Sequence, residues 1–334
     1  MNNLMQRRRT TMNKSTNALN RRHFFSLAAL APLVTAVPSP ALTPIQRAGG
    51  PFLKPTLNVY SFLELLTENQ KDASKGIDLF GVCDFCAKLN IEAVDLTGYF
   101  FPGYPKVPAD SYVNRMKRHV HDRGIVISGT GVRNDFATAD KAVRAAGVQL
   151  TREWIEVAAR LGAPGIRVFA GPQLPVKDWL VASGNAKRED VEAWMADDLR
   201  ACAEHGEKFG VLVTVQNHGD FLSTGPEHRS LVNRVNHEWC GAMVDTGKYL
   251  TDDPYADIAM MVPYAMNWQI KETLGSSLKS PPTDFKKLAK VIHDGGYRGF
   301  LPIETLGMGR KNYDPFAEVE KVLVAMREAI ANTH

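Results

Sequence analysis

Gly210-Val211-Leu212-Val213-Thr214-Val215-Gln216-Asn217-His218-Gly219 reads as a helix stop, a strand and a polar strand end in succession. The amphipathic stretch 189–209 runs into Gly210, and glycine is the residue that most easily adopts the left-handed backbone of a sharp helix C-terminus. Residues 211–216 form a continuous apolar, largely β-branched run, the pattern of a parallel strand covered on both faces. The run ends on Gln216-Asn217-His218, three side chains that can hydrogen-bond or ligate.

Working outward, the same unit recurs along the chain. Strands are expected at 57–60, 93–96, 125–129, 165–169, 211–216, 242–245, 267–270 and 300–304. Between them lie helical patterns at 109–123, 150–161, 189–209, 285–294 and 316–330. Gly124, Gly162, Gly210 and Gly295-Gly296 stand where helices should stop before the next strand. Eight such units in about 280 residues match one closed (β/α)8 TIM barrel, here assigned to residues 52–334. The competitor, an open doubly wound sheet, needs Gly-x-Gly-x-x-Gly after its first strand. No such run follows 57–60, and Gly129-Thr130-Gly131 alone is a weak signal.

Composition narrows the class. With 44% hydrophobic and 23% charged residues, the chain is not a disordered, collagen-like or coiled-coil sequence. Its formal charge is +4, but Arg7, Arg8, Arg9, Lys14, Arg21 and Arg22 all fall within residues 1–41, which hold no acid. Removing those six leaves −2 for the rest, so the body is not a nucleic-acid binder by charge. The twin arginines of Asn20-Arg21-Arg22-His23-Phe24-Phe25 precede a short, weakly apolar segment and then small residues near Ser39-Pro40-Ala41. This order resembles a twin-arginine export signal over 1–41, which predicts a periplasmic or exported protein, with 42–51 as linker. Pro32, Pro38 and Pro40 interrupt the apolar stretch from Phe24 to Ala41, so no stable membrane span is expected once the signal is removed. Four cysteines are too few for a disulfide framework. Cys83 and Cys86 share one face of a helix expected at 77–89; they read as buried small hydrophobes, and an oxidising compartment would also permit a bond between them.

A barrel keeps its chemistry at the C-terminal ends of its strands. Those ends carry Asp95 and Thr97, Arg133-Asn134-Asp135, Arg167, Gln216-Asn217-His218, Asp245-Thr246-Gly247-Lys248, Gln269-Ile270-Lys271-Glu272 and Glu304-Thr305. Four consecutive strands each deliver an acid or amide at one level, a costly arrangement if nothing binds there. Oxygen-rich donors of this kind suit Mg²⁺ or Mn²⁺.

As a set, Val215-Gln216-Asn217-His218-Gly219, Val244-Asp245-Thr246-Gly247, Gln269-Ile270-Lys271-Glu272 and Pro302-Ile303-Glu304 resemble the last four strands of the xylose-isomerase-like sugar isomerase/epimerase barrels. The resemblance spans roughly residues 55–330 and includes the sugar phosphate isomerase/epimerase-like members. It implies a divalent ion, Mn²⁺ or Mg²⁺, held by Glu, Asp, His and Glu on strands five to eight. By position the ligands here are Gln216, Asp245, Gln269 and Glu304. Gln216 thus stands where the family has glutamate, Gln269 where it has histidine, and Lys248 at a position that is often histidine. Epimerases of the family use the glutamates of strands five and eight as opposed acid and base, and of that pair only Glu304 remains. The resemblance implies proton abstraction next to a carbonyl, with Glu304 or His218 moving the proton and Lys248 or Lys271 supporting the developing oxyanion.

The bland alternatives stay open from the residues alone. Asp245 and Glu304 also read as partners of Lys248 or Lys271 in a metal-free ionic network. Arg133, Arg167, Phe101 and Trp268 are assigned to substrate, with rim ion pairs and core packing as their alternatives. Asp135 doubles as a helix N-cap candidate. The expected partner is a small unphosphorylated carbohydrate or cyclitol, and a homo-oligomer is compatible with the sequence. Leu306-Gly307-Met308-Gly309-Arg310 is the nearest approach to a phosphate cradle, with Arg310 as its cation. A lyase or hydratase acting on keto-sugars and a non-catalytic periplasmic sugar-binding protein are the other functional readings.

Overall fold

Parallel strands laid side by side in the order β7-β6-β5-β4-β3-β2-β1-β8 build the structure, a computed structural model that describes residues 43–172, 178–275, 280–307 and 309–333. The expected export signal at 1–41 lies outside the described residues. In chain order the elements are β1 (Phe52–Asn58), α1 (Leu63–Lys71), α2 (Leu79–Lys88), β2 (Ala93–Thr97), α3 (Asp110–Asp122), β3 (Val126–Gly131), α4 (Lys141–Leu161), β4 (Gly165–Phe169) and α5 (Trp179–Ala182). They continue with α6 (Arg188–Phe209), β5 (Leu212–Gln216), α7 (Gly225–Val235), β6 (Cys240–Asp245), α8 (Pro254–Met261), β7 (Ala265–Gln269), α9 (Phe285–Asp294), β8 (Arg298–Ile303) and α10 (Pro315–Ala331).

The sheet closes through one residue. Ile270, just past β7, bridges Ile303 in parallel; its N–H donates to the Pro302 carbonyl at 2.8 Å and its carbonyl accepts from the Glu304 N–H at 2.9 Å. That seam sets Gln269 and Lys271 on either side of the point where Glu304 leaves β8. The barrel is therefore a single nearly closed (β/α)8 fold, as the repeating units imply.

Local chemistry explains the helices. In α9, Leu288, Ala289 and Ile292 face the barrel, and burying Leu288 and Ile292 is worth about 1.5–3 kcal/mol each. Asp284 caps its start by accepting from the N–H groups of Lys286 and Lys287. Gly162 and Gly210 end α4 and α6 in the left-handed conformation, φ 78° and 68°.

Two boundaries differ from the sequence expectation. β1 begins at Phe52 rather than residue 57, although Pro55 lies inside it. β1 pairs with β2 only at Leu57 and Asn58, so the missing Pro55 N–H is not needed on that side. Asn58 Oδ1 then accepts from the Tyr60 N–H at 2.8 Å and turns the chain out of the strand. α4 starts at Lys141 rather than residue 150, because its first turns bury Arg144, Gly147 and Thr151 instead of large apolar residues. Arg144 is neutralised there by Asp198 at 2.9 Å. Asp140, not Asp135, caps α4; Asp135 instead accepts from the Ala137 N–H at 2.9 Å in a loop.

Two residues assigned to substrate belong to the core. Phe101 is fully buried, packed edge-on against Tyr112 and Trp154 with centroids 5.7 and 5.5 Å away. Trp268 is equally buried, 5.3 Å from the Tyr297 ring. Phe101 thus packs against α3 and α4, and Trp268 against the Tyr297 ring, both enclosed by the protein's own side chains. Cys83, Cys86, Cys202 and Cys240 are free and buried. Burial pushes the Cys83, Cys202 and Cys240 thiols up to about 12 and Cys86 well above its ordinary value. Among the described residues no helix is long and apolar enough to cross a membrane.

Candidate active site

Five side chains from the ends of β5 to β8 meet at the barrel mouth: Gln216, Asp245, Gln269, Lys271 and Glu304. Asp245 is wholly buried, and its carboxylate accepts from Gln216 Nε2 at 2.8 Å and from the Gly247 N–H at 3.0 Å. Gln216 Nε2 also donates to Gln269 Oε1 at 2.5 Å, while Gln216 Oε1 is buried without a hydrogen-bond partner.

Lys271 reaches into this group from the segment after β7. Its Nζ donates to Glu304 Oε1 and lies 3.6 Å from Asp245 Oδ2. Its backbone is fixed at both ends: the N–H donates to Thr246 Oγ1 at 2.9 Å, and the carbonyl accepts from Thr283 Oγ1 at 2.7 Å. Gly247 makes room for the stem, since a Cβ there would stand 2.8 Å from Lys271 Cγ and 2.9 Å from the Thr273 carbonyl oxygen. Burial lowers the proton affinity of this amine, but the Asp245 and Glu304 carboxylates more than offset it and hold Lys271 above its ordinary value. Glu304 is shifted upward by burial and by Asp245, against the pull of Lys271. One ammonium thus serves two buried carboxylates.

The opposite wall is aromatic and cationic. Arg167, buried on β4, donates to the Val132 carbonyl at 2.7 Å and to the Tyr99 hydroxyl. Two guanidiniums approach Tyr99, with the Arg133 carbon 4.4 Å and the Arg167 carbon 5.4 Å from its ring centre. Tyr60 meets Tyr99 edge-on at 6.0 Å, and its hydroxyl is pushed up to about 12 by burial, Tyr99 and Glu304. Beneath the mouth, Asn267 Nδ2 donates across the barrel to Asp95 Oδ2 at 3.2 Å.

The remaining candidates fall around this cluster. His218 is half-buried and packs its ring against Phe169 at 4.9 Å. Lys248 sits in the turn after β6, its N–H donating to the Asp245 carbonyl at 3.2 Å. Arg310 is engaged by Glu272 at 3.1 Å and Glu318 at 2.9 Å, so it is committed to carboxylates rather than to an anion. The sequence placed Asn217 at the strand end without a role, and here it grips the Asp245 backbone; Tyr60, hidden by the misplaced end of β1, was missed. Asn217 had a signal: it directly follows the strand-five amide.

The profile described as Xylose isomerase-like TIM barrel matches residues 83–329. The chain belongs to that family. D-psicose 3-epimerase with D-tagatose from Clostridium cellulolyticum H10 superposes with a TM-score of 0.66 at 16% identity, covering 83% of this chain and 99% of that one. An L-ribulose 3-epimerase gives 0.65 at 15% identity over 83% and 96%. The apo 3-keto-D-glucoside 4-epimerase from E. coli gives 0.61 at 13% identity over 83% and 100%. At these identities the likeness is one of fold. No curated protein sequence matches the chain.

The divalent ion that the family resemblance implies can be tested against these donors. Gln216, Asp245, Gln269 and Glu304 do converge, but their arrangement does not fit such an ion. The Gln216 amide turns its N–H groups toward Asp245 and Gln269, and only an N–H can face acceptors that close. Its oxygen therefore points away from the carboxylate with which it would share a metal. Asp245 and Glu304 already flank the Lys271 ammonium. Among the described residues no group of three or more His, Cys, Asp or Glu side chains is placed to hold a metal ion.

Proposed function

We propose that this family member is an isomerase/epimerase-type enzyme, exported through the Arg21-Arg22 signal, that removes a proton next to a carbonyl of an unphosphorylated carbohydrate or cyclitol. Glu304 is the proton-transfer residue. The observation that carries this reading is the buried Glu304–Lys271 pair: a carboxylate whose proton affinity is raised by burial, beside a fixed cation where an oxyanion would form. The unpartnered Gln216 Oε1 is an acceptor suited to a substrate hydroxyl. Arg167 and Arg133, both beside Tyr99, supply donors for the rest of a sugar. The engagement of Arg310 by two glutamates favours a substrate without a phosphate.

A lyase or hydratase acting on a keto-sugar or 3-keto-glycoside is the second reading. Gln216 favours it, because an amide on β5 cannot return a proton to the opposite face as a second carboxylate would. Incubating the mature chain with free sugars and keto-glycosides in deuterium oxide tests both. Deuterium in a C–H position together with an isomer or epimer supports the first reading. An unsaturated product with loss of water or aglycone supports the second. No exchange with any member of the panel, with sugar binding seen by calorimetry, makes the chain a binding protein.

A further inference from the structure

We propose that the Lys271 ammonium is the resident cation of this barrel mouth, among the residues to which the family resemblance assigns a divalent ion, so that the site works without metal. Three independent features carry the assignment. The first is position: Nζ donates to Glu304 and stands 3.6 Å from Asp245, the two acids that survive at the ligand positions of β8 and β6. The second is the donor set. Gln216 and Gln269 replace charged or basic ligands with neutral amides that bind each other and Asp245, so the site holds two negative charges, too few to favour a doubly charged ion beside an ammonium. The third is construction. Thr246 and Thr283 pin the Lys271 backbone, and Gly247 leaves the space its stem occupies.

The chemistry follows from these contacts and rests on the proton-transfer reading above. Glu304 takes the proton from carbon, the C–H electron pair forms the new C=C bond, and the carbonyl π pair moves onto oxygen. The resulting oxyanion lies opposite the Lys271 ammonium, which supplies the positive charge in a dry site. Return of the proton from Glu304 to the same carbon regenerates the substrate. Its delivery to the former carbonyl carbon, with the neighbouring hydroxyl proton passing to the oxyanion as that C–O becomes C=O, gives the isomer and restores the carboxylate.

Metal content, stability and exchange are read separately. Mature protein is purified without chelator and analysed for bound metals, then melted with EDTA and with added Mn²⁺ or Mg²⁺. Expected are metal far below one per chain, a thermal midpoint indifferent to EDTA and Mn²⁺, and deuterium exchange unchanged by EDTA. Lys271→Gln is melted alongside; removing the ammonium should give a chain that Mn²⁺ stabilises, a shift the parent lacks. One tightly held divalent ion per parent chain, or a parent midpoint that falls with EDTA, overturns the assignment. A folded Lys271→Gln chain indifferent to Mn²⁺ overturns it too; if that variant fails to fold, the parent measurements decide. Failure of the carbohydrate reading would appear differently, as no exchange in any sugar whatever the metal content.

Discussion

Asn217 holds the backbone of Asp245 from both sides: its Oδ1 accepts from the Asp245 N–H at 2.8 Å, and its Nδ2 donates to the Asp245 carbonyl at 2.9 Å. Backbone pairing of β5 with β6 reaches only Gln216 and Met243, so this side chain continues the ladder and fixes the height of the carboxylate. Asn217→Ala leaves the buried Asp245 N–H unpaired, at a cost of about 1–3 kcal/mol, while the Asp245 carbonyl keeps its bond from the Lys248 N–H. Thermal unfolding should show a midpoint several degrees lower, roughly 2–4 °C per kcal/mol. An unchanged midpoint would contradict the clamp.

Glu304→Gln keeps the volume of the side chain and an acceptor for Lys271 while removing the base. Deuterium wash-in should fall by about 10²- to 10⁴-fold with the melting curve retained. Exchange at the parental rate would transfer the role to His218.

Lys271→Met leaves Asp245 and Glu304 buried without their shared cation, a loss of about 3–5 kcal/mol in urea unfolding without added metal. The double variant Lys271→Met/Glu304→Leu should recover much of it, since one of the stranded charges is gone. Additive losses in the pair would mean that the two side chains are not coupled.

Stability should also carry a readable pH dependence. Burial pushes Asp95 and Asp220 up to about 6, with Arg167 and Asn267 partly opposing the shift at Asp95. Between pH 6 and an ordinary carboxylate value near about 4, the folded chain binds protons that the unfolded chain does not. Their contribution therefore grows as pH falls and is lost as pH rises through 6. His228 has the opposite sign: burial holds it down to about 4, so stability is lost as pH falls below the ordinary histidine value. Asp95→Asn should stabilise by roughly 2–3 kcal/mol at most near neutral pH, with the gain shrinking toward pH 4. Urea titrations across pH 4–8 check this; a gain that widens on acidification would refute it.

Much of the barrel was legible because strands covered on both faces must be continuously apolar, and helices between them must stop before the next strand. β1 was harder, since Pro55 disguises a strand that pairs fully on one side only. The level at which polar residues leave the strands was also readable, and Gln216, Asp245, Gln269 and Glu304 do meet. What a lysine stem does inside the mouth depends on three-dimensional clearance, such as the absent Cβ of Gly247, and no linear pattern encodes that. Phe101 and Trp268 mislead for a related reason. An aromatic ring beside a polar strand end has the same neighbours in sequence whether it faces the mouth or the helices.

The four thiols bear on when this chain must fold. Cys83 lies near Cys86 and Cys202 near Cys240, each close enough to raise its neighbour's proton affinity further. In a loose chain meeting an oxidant, four such sulfurs can cross-link in several wrong ways; sealed and protonated in the core, they offer no thiolate to react. On the proposed metal-free site and export route, loading of a metal would be no reason to complete the structure before export. Protection of the sulfurs is a sufficient one: maturation in a reducing cytoplasm followed by passage of the finished barrel would deliver all four cysteines intact.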